Sequence, residues 1–110
     1  MIIEQRTYDF HPGAIPKFFQ LYESTGARAL QARILGTLVG YYVSEIGPLN
    51  QTVHLWAYSS LDDRAERRAA LMNEQAWRDF LGQVVPMIQR QESKILLPTA
   101  FSPRPVLAQG

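Results

Sequence analysis

The spacing of apolar and polar positions changes period along the chain, and each change marks an element. Residues 2–10, IIEQRTYDF, are rich in β-branched and aromatic side chains and predict a strand, closed by the turn His11-Pro12-Gly13. From Ala14 onward Ile15, Phe18, Phe19, Tyr22, Gly26, Ala29 and Leu30 recur at three and four, which predicts a helical stripe with Pro16 in its first turn. Ser24-Thr25-Gly26 weakens that helix, so the segment reads as one bent helix or two shorter pieces, and Gly36 stops it. Residues 36–45 and 51–58 predict two strands joined by the loop Gly47-Pro48-Leu49-Asn50. Ser60-Leu61-Asp62-Asp63 resembles a capping box and opens a helix with the expected stripe Leu61, Ala65, Ala69 and Met72. After a break at Asn73 a second stripe follows, Trp77, Phe80, Leu81, Val84 and Ile88, kinked or ended by Pro86. Residues 93–97 predict a last strand, stopped by Pro98.

The order β-α-β-β-α-β predicts an α+β fold, the ferredoxin-like sandwich: a four-stranded antiparallel sheet with helices on one face and the first and third strands central. One domain is expected over residues 1–103, with 104–110 as a C-terminal tail in which Pro105 blocks regular pairing.

The third strand, NQTVHLWAY with its leading Asn50, sharpens the picture. Val53, Leu55 and Ala57 are expected to meet the helices, leaving Thr52, His54, Trp56 and Tyr58 on the other side. The first strand divides likewise into Ile3, Gln5, Thr7 and Ile2, Glu4, Arg6, Tyr8, so Glu4, Arg6 and Tyr8 are expected to share a face with His54, Trp56 and Tyr58. Of Tyr41 and Tyr42, only one can join them. Strands about 4.8 Å apart and roughly 20 Å long give a face on the order of 400 Å², large enough for an exposed aromatic patch to require a cover. A second copy is the simplest cover, giving a homodimer through the open sheet face, a dimeric α/β barrel with a partly polar chamber.

Composition narrows the partners. The chain has 110 residues, 46% hydrophobic and 19% charged, with a formal net charge of +1. That balance lacks the electrostatic footprint of a nucleic-acid or anionic-membrane binder, and neither partner is expected. The absence of cysteine removes disulfides, thiolate nucleophiles and Cys-based metal sites. The N-terminus turns polar by its fourth residue and no apolar run is long enough for a membrane span, so a cytoplasmic protein is expected.

Three stretches carry a family resemblance: EQRTY with the HPG turn, the hairpin LVGYYVSEIGPLNQTVHLWAYSSLDDR, and the ending ILLPTAFSP. With them the chain resembles the NIPSNAP family of the dimeric α/β-barrel superfamily from residue 2 to about residue 103. The resemblance implies a ferredoxin-like subunit and a barrel dimer, but no reaction, because the family has no settled activity. Animal members are discussed as mitochondrial or trafficking-linked scaffolds. Superfamily relatives include cofactor-free monooxygenases, haem-degrading enzymes and lactone isomerases, which carry their functional side chains inside the barrel. Gln5 stands where the family often has an apolar residue.

His54 is the candidate acid–base residue, because imidazole titrates near neutrality; the competing reading is a buried histidine that only braces the wall. Arg6 can anchor a carboxylate or enolate through its planar fork and Glu4 can serve as base or partner, unless the two form a structural ion pair. Tyr8, Trp56 and Tyr58 suit a flat apolar ligand with polar tips, or equally the filling of an interface. Haem ligation by His54 is a narrower reading, and no cofactor is expected. With His11 in a turn and no cysteine, no metal site is expected. Ser44 lies in no nucleophile elbow, and the scattered glycines form no phosphate loop. Arg64, Arg67 and Arg68, interleaved with Asp62, Asp63 and Glu66, are expected on a solvated helix face with an Asp63–Arg67 pair. Three functions remain in play: binding of a small hydrophobic or aromatic acid, a cofactor-independent oxygenase or isomerase using His54 as general base, and a protein-interaction scaffold.

Overall fold

Alternation with a period of two holds the strands, and the computed structural model, which describes residues 1–108, pairs them in the order β2-β3-β1-β4. The elements are β1 (Ile2–Phe10), α1 (Ala14–Ser24), α2 (Ala27–Leu35), β2 (Thr37–Val43), β3 (Gln51–Tyr58), α3 (Leu61–Met72), α4 (Gln75–Val84), a 3-10 turn (Val85–Met87) and β4 (Ile88–Leu96). The first and third strands are central and every pairing is antiparallel, giving the ferredoxin-like α+β fold. Within the tail assigned to 104–110, residues 109 and 110 lie outside the described part.

Of the two readings of the first helical segment, one bent helix or two shorter pieces, the structure has two helices, because Gly26 adopts φ 79° and resets the helical phase. The buried set therefore runs Ile15, Phe18, Tyr22 in α1 and Ala27, Gln31, Leu35 in α2, while Ala29 is exposed. At the start of α3 the Ser60 hydroxyl accepts from the Asp63 amide at 3.0 Å and Asp63 accepts from the Ser59 amide at 3.0 Å, as the capping pattern predicts. The last strand begins at Ile88, earlier than the expected residue 93, because the 3-10 turn around Pro86 delivers the chain straight into pairing with β1.

Two expectations about faces are overturned. The helices cover the side of the sheet that carries Thr52, His54, Trp56 and Tyr58, all at most 1% exposed, not the side that carries Val53 and Leu55. Aromatic contacts make the assignment plain: Phe10 meets Phe18 of α1, and Tyr41, stacked on His54, meets Phe19 and Tyr22. The physical reason is volume. Helix side chains such as Phe18, Trp77 and Phe80 need long partners to close the gap to the sheet, and the shorter Val53, Leu55 and Ile3 suit the open side. Gln5, paired with Leu55 and Lys94, lies on that open side, so its polar group costs the core nothing. Tyr42, opposite in direction to Tyr41, is 57% exposed.

The second correction concerns α3. Its expected apolar stripe is outside: Leu61 is 58% and Met72 is 47% exposed. Leu71 is the one buried residue of the helix, with Arg68 and Arg64 partly covered about one and two turns before it. Among the described residues no helix is long and apolar enough to cross a membrane.

Candidate functional site

Register decides which side chains meet. Across β1 and β3 the pairs are Ile2 with Tyr58, Glu4 with Trp56, Arg6 with His54 and Tyr8 with Thr52, so the expected site residues do share one face. That face looks into the space under the helices rather than toward a second subunit. Ser93 of β4 stands beside Arg6, and Tyr41 of β2 beside His54.

Glu4, fully buried, is the hub of the charged part. One of its oxygens, Oε2, accepts from Arg6 Nη1 at 3.0 Å, Arg64 Nη2 at 2.7 Å and Ser93 Oγ at 2.6 Å. Burial by itself pushes this carboxyl up, but the hydrogen bonds from Arg64 and Ser93 and the charge of Arg6 outweigh it and hold Glu4 at about 2. Arg6 also donates from Nε to the Tyr8 hydroxyl at 3.0 Å, which fixes both its planar fork and the phenol. The other Glu4 oxygen, Oε1, and the Tyr58 hydroxyl are buried without a partner among the described residues. Burial, then the Glu4 charge, pushes the Tyr58 phenol up to about 12.

His54 is 1% exposed and packed between rings, with Tyr41 stacked at 4.5 Å and 16° and Tyr8 edge-on at 5.0 Å. Its Nδ1 accepts the indole N–H of Trp56 at 2.9 Å. An indole nitrogen only donates, so Nδ1 must carry the lone pair and the ring proton resides on Nε2. Burial, followed by the charge of Arg6, depresses the imidazolium to about 3, so the ring is neutral at pH 7. The Nε2 atom is buried and has no partner among the described residues.

Two adjoining cavities lie in front of this wall. The deeper, about 40 Å³, is bounded by His54, Tyr41, Phe18 and Phe80; the outer, about 200 Å³, is bounded by Arg6, Arg68, Leu71 and Met72. Tyr8, Gln31, Trp77, Leu81 and Gln91 line both, so the two form one tapering recess with His54 at its deep end. Met72 and Val85, each about half exposed, form the rim.

Of the expected site residues, Arg6, Tyr8 and His54 line this recess, whereas Glu4, Trp56 and Tyr58 stand behind them. Glu4 orients Arg6 and Trp56 fixes the tautomer of His54. Sequence reasoning missed Arg64 and Arg68, placing them on a solvated face. The available signal was the spacing of Arg64, Arg68 and Leu71 at four and three, which puts both guanidiniums in line with the one buried residue of α3. The pair predicted on that helix does form, with Arg67 Nε donating to Asp63 at 2.9 Å.

Comparison with known proteins adds relationships. The NIPSNAP family model matches residues 3–103. The human Protein NipSnap homolog 2 is 36% identical over 103 residues, covering 93% of this chain and 35% of its own length. The chain thus spans about a third of that curated relative. Among solved structures, an Agrobacterium tumefaciens protein is 50% identical with a TM-score of 0.88, covering 94% of this chain and 98% of its own. An uncharacterized NIPSNAP-like domain protein from Burkholderia xenovorans is 43% identical with a TM-score of 0.91, over 99% and 94% of the two chains. Two remoter structures share the fold alone. One is a putative antibiotic biosynthesis monooxygenase from Nitrosomonas europaea, at 13% identity, TM-score 0.63 and 86% and 95% coverage. The other is a dimeric ferredoxin-like protein from an uncultured marine organism, at 10% identity, TM-score 0.67 and 94% and 92% coverage.

Proposed function

The chain belongs to the NIPSNAP family, and on that premise we propose that it binds a small hydrophobic or aromatic ligand in the recess between its sheet and helices, as one subunit of a homodimer. The observation that carries the reading is the recess itself, aromatic on its walls and ending at a buried histidine nitrogen that has no partner among the described residues. An unsatisfied buried N–H is costly, and a ligand oxygen reaching it would recover that cost.

The homodimer rests on the uncovered side of the sheet, where Ile3, Val53 and Leu55 are only half-buried within one chain. A fold neighbour is described as a dimeric ferredoxin-like protein, which accords with a homodimer. The surface joined would be aliphatic, in place of the His54 and Trp56 face expected from the sequence. A cytoplasmic location accords with a chain free of cysteine.

A second reading, a cofactor-independent oxygenase or isomerase, is favoured by Arg6 and the unpaired His54 nitrogen sharing one recess. In it His54 acts as a donor to developing negative charge, because its lone pair is already engaged by Trp56. The general-base role expected for His54 would need that lone pair free.

The binding reading is tested by titrating phenol, indole and 2-naphthol while following the indole N–H resonances of Trp56 and Trp77. Saturable shifts in the native protein, lost when Leu81→Trp fills the outer recess, are expected. No saturable shift, or one unchanged in Leu81→Trp, overturns the reading.

A further inference from the structure

We infer that the recess is built for an aromatic carboxylate bearing a second, uncharged acceptor oxygen at its far end, with Arg68 and Arg6 holding the carboxylate and His54 donating Nε2–H to the acceptor. The inference rests on the proposed binding recess and names the class of its occupant.

Charge at the mouth comes first. Two guanidiniums, Arg6 and Arg64, contact the carboxylate of Glu4 at 3.0 and 2.7 Å, and a third, Arg68, feels its charge without touching it. Glu4 pairs with Arg6 and Arg64 through one oxygen, and Arg68 has no hydrogen bond or ion pair among the described residues. Arg68 is half-covered, and it lines the outer recess together with Arg6. A partly desolvated cation next to a second cation is unfavourable by itself and becomes favourable when an anion sits between them. A guanidinium offers paired N–H donors in the spacing of a carboxylate, so an organic acid fits this position better than a neutral polar group.

The chemistry of the deep end is different. The Trp56 contact at 2.9 Å leaves His54 one function toward the recess, that of an N–H donor. A buried N–H donor at the floor of an end walled mostly by aromatic and aliphatic side chains selects an acceptor, a ketone or phenol oxygen, over a methyl group. The deep cavity of about 40 Å³ admits only a few atoms, which matches a small terminal substituent rather than a second ring. Between the two ends lie Tyr8 and Trp77, which line both cavities and suit the faces of a single flat ring. In the sheet Arg6 and His54 are directly paired residues, so the carboxylate and acceptor anchors are held by one rigid register.

Three near-isosteric probes separate the elements: 4-acetylbenzoate, 4-acetylbenzamide, which lacks the charge, and 4-isopropylbenzoate, which lacks the acceptor. Isothermal titration of the native protein is expected to rank 4-acetylbenzoate at least tenfold tighter than the amide and several-fold tighter than the isopropyl acid. Arg68→Met is expected to erase the preference for acid over amide while leaving amide affinity within about twofold. His54→Phe is expected to erase the preference for acetyl over isopropyl. Equal affinities of acid and amide in the native protein, or an acid preference that survives Arg68→Met, overturn the inference while leaving the binding recess standing. Failure of all three probes in a protein that still binds 2-naphthol has the same meaning, whereas failure of the phenols, indole and naphthol as well overturns the recess itself.

Discussion

Trp56 donates its indole proton to Nδ1 of His54 at 2.9 Å, between neighbours two apart on one face of a central strand. This contact sets the proton on the far nitrogen of the imidazole and so decides what the recess can offer a ligand. Trp56→Phe removes the donor while keeping most of the ring. We expect long-range proton–nitrogen spectra to show the Nε2–H form in the native protein and a mixture of tautomers in the variant, with a loss of about 1–2 kcal/mol in stability. An unchanged tautomer in Trp56→Phe would show that the hydrogen bond does not set it.

Acid stability follows from His54 and Glu4 in two overlapping windows. The folded imidazole holds its proton less tightly than the unfolded one, about 3 against 6.5, so the unfolded chain binds more protons between those values. Stability therefore falls as pH drops below about 6.5, by about 2 kcal/mol at pH 5. The Glu4 contribution is complete above 4.5 and is lost as pH falls toward 2, again because the unfolded chain takes up the proton first. Thermal midpoints measured from pH 7.5 to 4.5 are expected to decline in the native protein and to decline less in His54→Gln. Parallel profiles for the two proteins would remove His54 as the cause.

Glu4→Gln keeps the volume of the hub and removes its charge, leaving Arg6 and Arg64 without the carboxylate that both contact. Breaking a buried pair costs about 3–5 kcal/mol, and exposed pairs much less. Chemical denaturation is expected to show a loss of about 3 kcal/mol for Glu4→Gln, against less than about 0.5 kcal/mol for Glu23→Gln, whose Arg28 partner is on the surface. Similar losses for the two variants would mean that the hub is no more than another surface pair.

The open sheet face is tested by charge. Leu55→Arg places a guanidinium on the face that carries Ile3 and Val53 without touching the helix-covered side. Sedimentation is expected to give twice the chain mass for the native protein and the single chain mass for the variant, with the far-ultraviolet spectrum retained. A native chain that sediments as a stable monomer contradicts the homodimer.

Period-two alternation carries information about which residues are together, and none about what lies opposite them. That is why the grouping of Glu4, Arg6, Tyr8, His54, Trp56 and Tyr58 on one face could be read from the sequence, while the identity of the layer covering that face could not. A strand face of threonine, histidine, tryptophan and tyrosine reads equally well as a helix-packed core or an intersubunit chamber. The deciding quantity is the volume required by Phe18, Trp77 and Phe80, which belong to helices remote in sequence.

The same limit applies to α3. Its alanines and leucine at helical spacing look like a buried stripe and its arginines like a wet one, and the structure reverses this. Guanidiniums can face inward here only because Glu4, sixty residues earlier in the chain, supplies the carboxylate for Arg64 at 2.7 Å. The sequence by itself determined the order of the elements, their turns and caps, and which strand side chains share a side, because these depend on neighbours a few residues apart. Only the tertiary structure decided which side of the sheet is dry, that Arg68 has no carboxylate of its own among the described residues, and that His54 is a neutral donor at the end of a recess. Each of these depends on groups brought together from separate elements, where volume and charge are balanced in space rather than along the chain.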